Sequence, residues 1–153
     1  MERVPANVKG DGKSTIKELI LKKNEERKGS SILKKLKMGK ETKRNLKQQG
    51  YSLKSVPRKE EVVFLRTNAN ISDGADSYEV QNQINDTVKE TIVKAVRSIP
   101  GLRVAGVDVL IDKDDFHIIE INGNPMVSIH YETSCGQSKE VGKDVIKAMF
   151  PEL

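Results

Sequence analysis

Apolar residues along the chain change their spacing from segment to segment, and each spacing predicts an element. Residues 3 to 8, RVPANV, read as a short strand, followed by the glycine-rich turn KGDGKST. Thr15 with Glu18 fits a capping box, and Ile16, Leu19 and Ile20 follow at helical spacing, so a helix begins near Thr15. Val62 to Leu65 form an apolar run that predicts a strand, and Asn68, Asn70, Ser72, Asp73 and Gly74 predict a polar loop after it. From about Glu79 to Ser98, Val80, Ile84, Val88, Ile92, Ala95, Val96 and Ile99 recur at three and four, an amphipathic helix ended by Pro100 and Gly101. VAGVDVLI (104 to 111) and FHIIEIN (116 to 122) are β-rich runs joined by the charged turn DKDD, which predicts a hairpin. Val141, Val145, Ile146, Met149 and Phe150 predict a closing helix that Pro151 ends.

Residues 22 to 60 are different. Lysine dominates there, and Ile32, Leu33, Leu36, Leu46 and Leu53 give only short apolar stripes, so one or two short exposed helices in a lysine-rich insertion are expected. Together the elements predict an α+β fold, a mainly antiparallel sheet flanked by helices, forming a single domain over residues 1 to 153. The 36% hydrophobic content is enough for one core.

Composition narrows the function classes. No run approaches the roughly 18 apolar residues of a membrane span, and MERVPANVKG lacks the apolar centre of a signal peptide, so a soluble, cytoplasmic protein is expected. The single cysteine, Cys135, has no partner for an internal disulfide and no neighbouring Cys or His for a zinc site. The net charge of +5 conceals an asymmetry: residues 1 to 59 carry 18 Lys/Arg and 6 Asp/Glu, whereas residues 60 to 153 carry 9 and 16. The basic part suits phosphates, and the acidic part suits a cation.

The acidic part holds the candidate chemistry. In FHIIEINGNP, Glu120 and Asn122 lie two apart on a strand and share one face, with Ile119 and Ile121 on the other. A three-residue loop of Lys113 to Asp115 places Asp108 directly opposite Glu120, whereas a two-residue loop moves it to the other side. Asp108, Glu120 and Asn122 then form an all-oxygen cluster. Two adjacent carboxylates repel unless a cation lies between them, and hard oxygens suit magnesium or manganese. Because magnesium prefers few protein carboxylates plus substrate phosphates, a metal nucleotide is the ligand such a cluster expects. Spacing alone leaves a second reading, in which the three are ordinary polar alternates on the solvated face of a sheet.

The flanking text carries a family resemblance. GVDVLID followed by FHIIEINGNP resembles the metal-binding signature of the ATP-grasp superfamily, with Pro125 completing its E-x-N-x-x-P form. RVPANVKGDGKSTIKELILKKN and LRTNANISDGADSYEV are similar to two further segments found in cyanophycin synthetases and in the ligase half of bifunctional glutathione synthetases, and KAMFPEL is similar to the end of that group. The resemblance spans the chain except for about residues 25 to 60. It implies the C-terminal half of an ATP-grasp fold and an ATP-dependent carboxylate–amine ligase acting through an acyl phosphate on an amino acid or peptide. It further implies that Asp108 and Asn122 are magnesium ligands, with manganese an alternative, and that Glu120 bridges two ions. Arg66, Asn68 and Asn70 then face the nucleotide, with Arg66 and Asn70 steadying the transferring phosphate and the acyl-phosphate oxygens. The loop 131 to 138 with Gly136, together with His130, falls where the acceptor substrate is held. An N-terminal ATP-grasp subdomain, carrying phosphate-binding lysines and the adenine pocket, is the partner implied in cis or in trans. Two positions depart from the pattern: Ala75 stands for an expected glycine, and so does Met126. A non-catalytic remnant or assembly module is the alternative.

Other motifs point elsewhere. GDGKST ends like a phosphate-binding P-loop, but the required first glycine is Asn7. The basic stretch 9 to 59 could meet nucleic acid through phosphates, yet it holds one aromatic residue, Tyr51, for stacking. His117 and His130 lie in separate segments with no triad partners.

Overall fold

The computed structural model describes residues 1–112 and 115–152. It divides into two compact units, Met1–Glu79 with Glu132–Gln137, and Val80–Tyr131 with Ser138–Leu153. The expected α+β class holds, and the strand pairing is antiparallel as expected, but among the described residues the named strands form three separate two-stranded ladders instead of one sheet.

The first unit holds β1 (Glu2–Val4), β2 (Asn7–Lys9), α1 (Ile16–Glu26), α2 (Lys40–Gln48), β3 (Val62–Phe64) and β4 (Asp76–Tyr78). The single strand expected over residues 3 to 8 is two. β1 pairs with β4 and β2 with β3, the chain changing partners at Pro5 and Ala6. Proline has no N–H to give a ladder, and the Ala6 carbonyl takes the N–H groups of both Leu65 and Arg66. α1 starts as its capping box predicts: Thr15 Oγ1 accepts from the Glu18 N–H, and the Glu18 carboxylate accepts from the Thr15 N–H at 2.7 Å. Its buried face, Ile16, Leu19 and Ile20, packs in a core with Ala6, Val8, Leu36, Leu46, Val63 and Leu65.

Leu36 and Leu46 come from the lysine-rich segment, so the expectation of merely exposed helices there is corrected. α2 turns Lys40, Lys43, Arg44 and Lys47 to solvent but seals Thr42, Asn45 and Leu46 inside. Two amides, Asn45 on that helix and Gln49 at its C-terminal cap, do the work of a neighbouring strand. Asn45 Nδ2 donates to the Leu65 carbonyl at 3.1 Å, Gln49 Nε2 donates to the Phe64 carbonyl at 2.8 Å, and Gln49 Oε1 accepts from the Phe64 N–H at 3.2 Å. A segment poor in apolar residues can therefore be integral, because polar side chains satisfy the backbone of β3.

The second unit holds α3 (Asp86–Arg97), β5 (Gly106–Asp112), β6 (Asp115–Asn122) and α4 (Val141–Met149). α3 begins later than its apolar periodicity suggests. Asn85 caps it by accepting the Thr87 N–H at 2.8 Å, and Gln81–Gln83 form a separate 3-10 turn. β5 and β6 form the expected hairpin; Lys113 and Asp114 of its expected turn lie outside the described residues. No helix among the described residues is long and apolar enough to cross a membrane.

Candidate functional site

Asp108 on β5 pairs directly with Glu120 on β6. The route to that pairing differs from the expected one. Asp112 pairs with Asp115 and Val109 with Ile118, a register one residue away from the one that opposes Asp108 to Glu120. An irregularity between Asp108 and Val109 absorbs the difference, leaving Ile119 without an opposite residue. Burial along β6 follows the bulge: Ile118 and Ile121 are half-buried, whereas Ile119, expected to share a face with Ile121, is 61% exposed.

Paired residues share a face, and Asn122 pairs with Gly106, two residues from Asp108, so Asp108, Glu120 and Asn122 lie on the same side of the ladder. Asn122 Oδ1 accepts the Asn124 N–H at 2.9 Å, which sets the amide while leaving its second lone pair. Gly106 lets the following turn close: a Cβ there would lie 2.8 Å from the Pro125 ring. Among the described residues no group of three or more His, Cys, Asp or Glu gathers around a metal-sized space. The set here is two carboxylates and an amide oxygen, the sparse hard-oxygen donor set that magnesium tolerates when phosphates supply the remaining ligands, so the residues fit that ion.

Arg66, Asn68 and Asn70 belong to the first unit. Arg66 is 9% exposed and held from α2, donating from Nη1 to Thr42 Oγ1 at 3.0 Å and pairing with the Glu41 carboxylate at 3.3 Å. It lines a cleft of about 590 Å3 together with Arg3, Asn45, Gln49, Phe64 and Thr67. Glu2 lines the same cleft and Glu41 pairs with Arg66, so carboxylates as well as guanidinium groups belong to its surroundings. Asn68 Nδ2 donates to Asp73 Oδ2 at 3.2 Å. Asn70 caps the short 3-10 turn Ile71–Asp73, its Oδ1 accepting from Ser72 N–H at 3.1 Å and Ser72 Oγ at 2.9 Å.

Ala75, one of the two departures from the expected pattern, is fully buried and donates its N–H to the Asn70 carbonyl at 3.2 Å, in a backbone conformation that needs no glycine. Met126, the other, is 60% exposed just before the 3-10 turn Val127–His130. Gly136 lies in the first unit with a φ of +92°, and a Cβ there would meet the Glu79 Cβ at 2.7 Å, so packing alone demands glycine. His130 lies in the second unit, half-buried, its carbonyl accepting the Lys139 N–H at 2.8 Å. The GDGKST stretch is not a phosphate cradle: Asp11 accepts from the Lys13 and Ser14 N–H groups at 2.8 and 2.7 Å and from the Ser14 hydroxyl at 2.7 Å, using the donors a phosphate would need.

Sequence reading missed Arg3 as a companion of Arg66, and missed Glu41 and Thr42 as the groups that hold it. A signal existed for the helix: Thr42, Asn45 and Leu46 recur at helical spacing amid lysines, a buried stripe written mostly in polar letters.

No protein-family model matches the chain. It is 38% identical over 166 residues to the glutathione biosynthesis bifunctional protein of Enterococcus faecalis, a match covering 100% of this chain and 22% of that protein. The Clostridium perfringens protein of the same name is 38% identical over 161 residues, covering 98% of this chain and 21% of that one. The crystal structure of a bifunctional glutathione synthetase from Pasteurella multocida is similar with a TM-score of 0.85 and 36% identity, covering 98% of this chain and 22% of the other. The chain thus spans about a fifth of the length of the relatives it matches.

Proposed function

We propose, for a chain homologous to one segment of the bifunctional glutathione biosynthesis proteins and carrying part of an ATP-grasp fold, that it works in an ATP-dependent ligase joining a carboxylate to an amine. In this reading the γ-phosphoryl group of ATP passes to the carboxylate of an amino acid or short peptide. The amine then attacks the acyl phosphate and phosphate leaves, forming the amide. The remaining parts of the ATP-grasp fold come from a further subdomain in cis or in trans, and the reaction runs in the cytoplasm, where ATP is supplied.

Within it, Asp108 and Asn122 would hold magnesium, or manganese, with Glu120 as a further carboxylate ligand. The metal supplies charge neutralisation to the phosphates. Arg66 offers fixed donors to the transferring phosphoryl group, Asn70 steadies the phosphate and acyl-phosphate oxygens with it, and Asn68 faces the nucleotide. His130 and the backbone at Gly136 serve the acceptor substrate. The observation that carries the reading is the direct pairing of Asp108 with Glu120, with Asn122 on the same face, in a chain related to these ligases.

Calorimetry of magnesium-dependent ATP binding tests it, on this chain alone and joined to the ATP-grasp subdomain of a relative, for wild type and Asp108→Asn. Binding only in the joined sample, lost in the variant, supports a ligase half. No binding in any sample returns the chain to a remnant or an assembly module.

A further inference from the structure

A buried ionic cluster in the first unit ties α1 to the loop that follows β3. Asp76, 1% exposed at the start of β4, accepts on one carboxylate oxygen from Arg27 Nη2 at 2.5 Å. Its other oxygen accepts from Lys23 Nζ at 2.6 Å and Asn7 Nδ2 at 3.0 Å. The second arm of the same guanidinium, Arg27 Nη1, donates to the Gly74 carbonyl at 2.9 Å and to the Lys34 carbonyl at 2.7 Å. Lys23 completes the frame by donating to the Asn7 carbonyl at 2.9 Å. One planar group, 5% exposed, therefore grips three residues in two segments at once, which a point charge such as lysine cannot do with fixed geometry.

What Arg27 grips is the turn that presents Asn70. The Asn70 carbonyl accepts from the Asp73 and Ala75 N–H groups at 3.0 and 3.2 Å, and the Gly74 N–H closes the turn on the Ile71 carbonyl at 3.0 Å. Gly74 and Asp76, two of the residues Arg27 holds, flank Ala75, whose N–H bonds Asn70. Looseness at either one reaches Asn70 through the hydrogen bonds that its carbonyl accepts from the Asp73 and Ala75 N–H groups. A cluster this expensive to desolvate stands in for what apolar side chains of the same volume could do for stability alone, so its use points to a need for exact placement of the turn.

We infer that Arg27 is a positioning residue which, through Gly74 and Asp76, sets the Asn70 turn for the acyl-phosphate chemistry. This rests on the role given to Asn70 under the ligase reading, and two measurements separate the two claims. The first is amide exchange on the full chain carrying Arg27→Lys, with Asp76→Asn as a second variant should the first fail to fold. Exchange at Asp73 and Ala75 rises by at least about tenfold, the equivalent of losing one net hydrogen bond, while Val63 and Leu65 keep their protection. Unchanged exchange at Asp73 and Ala75 overturns the inference.

The second is a double-mutant cycle on turnover in the enzyme joined to a relative's ATP-grasp subdomain. Arg27→Lys lowers kcat with little change in KM, and adding it to Asn70→Ala costs less than the product of the two single losses, because both act through one group. Strictly multiplicative losses overturn the inference even if exchange changes. A joined wild type that binds ATP but makes no amide overturns the ligase reading and the catalytic part of this inference, while the exchange result alone still decides whether Arg27 holds the turn.

Discussion

Asp108 stands opposite Glu120 only because Ile119 has no opposite residue. The pairs beyond that point, Val109 with Ile118 through Asp112 with Asp115, follow a register in which an unbroken ladder would oppose Asp108 to Ile119. One extra residue in β6 restores the carboxylate pair and bends the strand there, a use of bulges common beside active sites, where they re-aim a side chain.

Glu120→Gln keeps the shape and one oxygen of the side chain and removes its charge. The isolated chain should fold with unchanged thermal midpoint, and the joined enzyme should lose most of its magnesium-dependent nucleotide affinity. Calorimetry at matched magnesium concentrations checks this, and wild-type affinity in the variant would sink the metal assignment.

Arg66→Ala should depress turnover by a factor on the order of 100 or more, by analogy with removing one donor from developing oxyanion charge. Thr42 and Glu41 hold the guanidinium from α2, so Thr42→Val should give a smaller loss in the same direction. Steady-state kinetics of the joined enzyme decides, and a change below about threefold for Arg66→Ala counts against a phosphate role.

Leu46 is fully buried although lysines surround it in sequence. Leu46→Ala should destabilise the chain by about 2–5 kcal/mol, the range for emptying a leucine site in a packed core. A freely solvated insertion predicts almost no change. Urea unfolding of the two proteins side by side distinguishes these outcomes.

The Asp11 carboxyl is held at about 2, below its ordinary 3.8, by the N–H and hydroxyl of Ser14 and the N–H of Lys13. A depressed folded-state pKa contributes stability that is complete above the unfolded value and disappears as pH falls through the folded one. The stability difference between wild type and Asp11→Asn should therefore be steady above about pH 4, shrink between about pH 4 and pH 2, and vanish below about pH 2. Urea midpoints across that range read it directly; a difference that persists in acid would mean that charge is not what the turn uses.

Asp76 illustrates what could not be read along the chain. Its partners Lys23 and Arg27 lie 53 and 49 residues away, inside a lysine-rich segment where two more cations attract no notice. Arg66 is similar: the residue was visible as a candidate, but Arg3 on the same cleft and Glu41 and Thr42 behind it were not. Thr15 and Glu18, by contrast, carry their own geometry, because a capping box joins residues three apart and needs nothing from the rest of the molecule.

The sequence by itself determined the local elements: the start of α1, the β5–β6 hairpin, α4, and the alternation that sets Glu120 and Asn122 on one face. Each depends on interactions a few residues apart, and the motif around Asp108 and Glu120, together with RVPANVKGDGKSTIKELILKKN and LRTNANISDGADSYEV, pointed to the relatives. Tertiary structure alone decided how the strands divide into three ladders, that the lysine-rich segment enters the core, and which register opposes Asp108 to Glu120. Those outcomes turn on which backbone groups find partners across long separations: the Ala6 carbonyl taking two N–H groups, Asn45 and Gln49 serving as a strand edge, and a single bulge at Ile119.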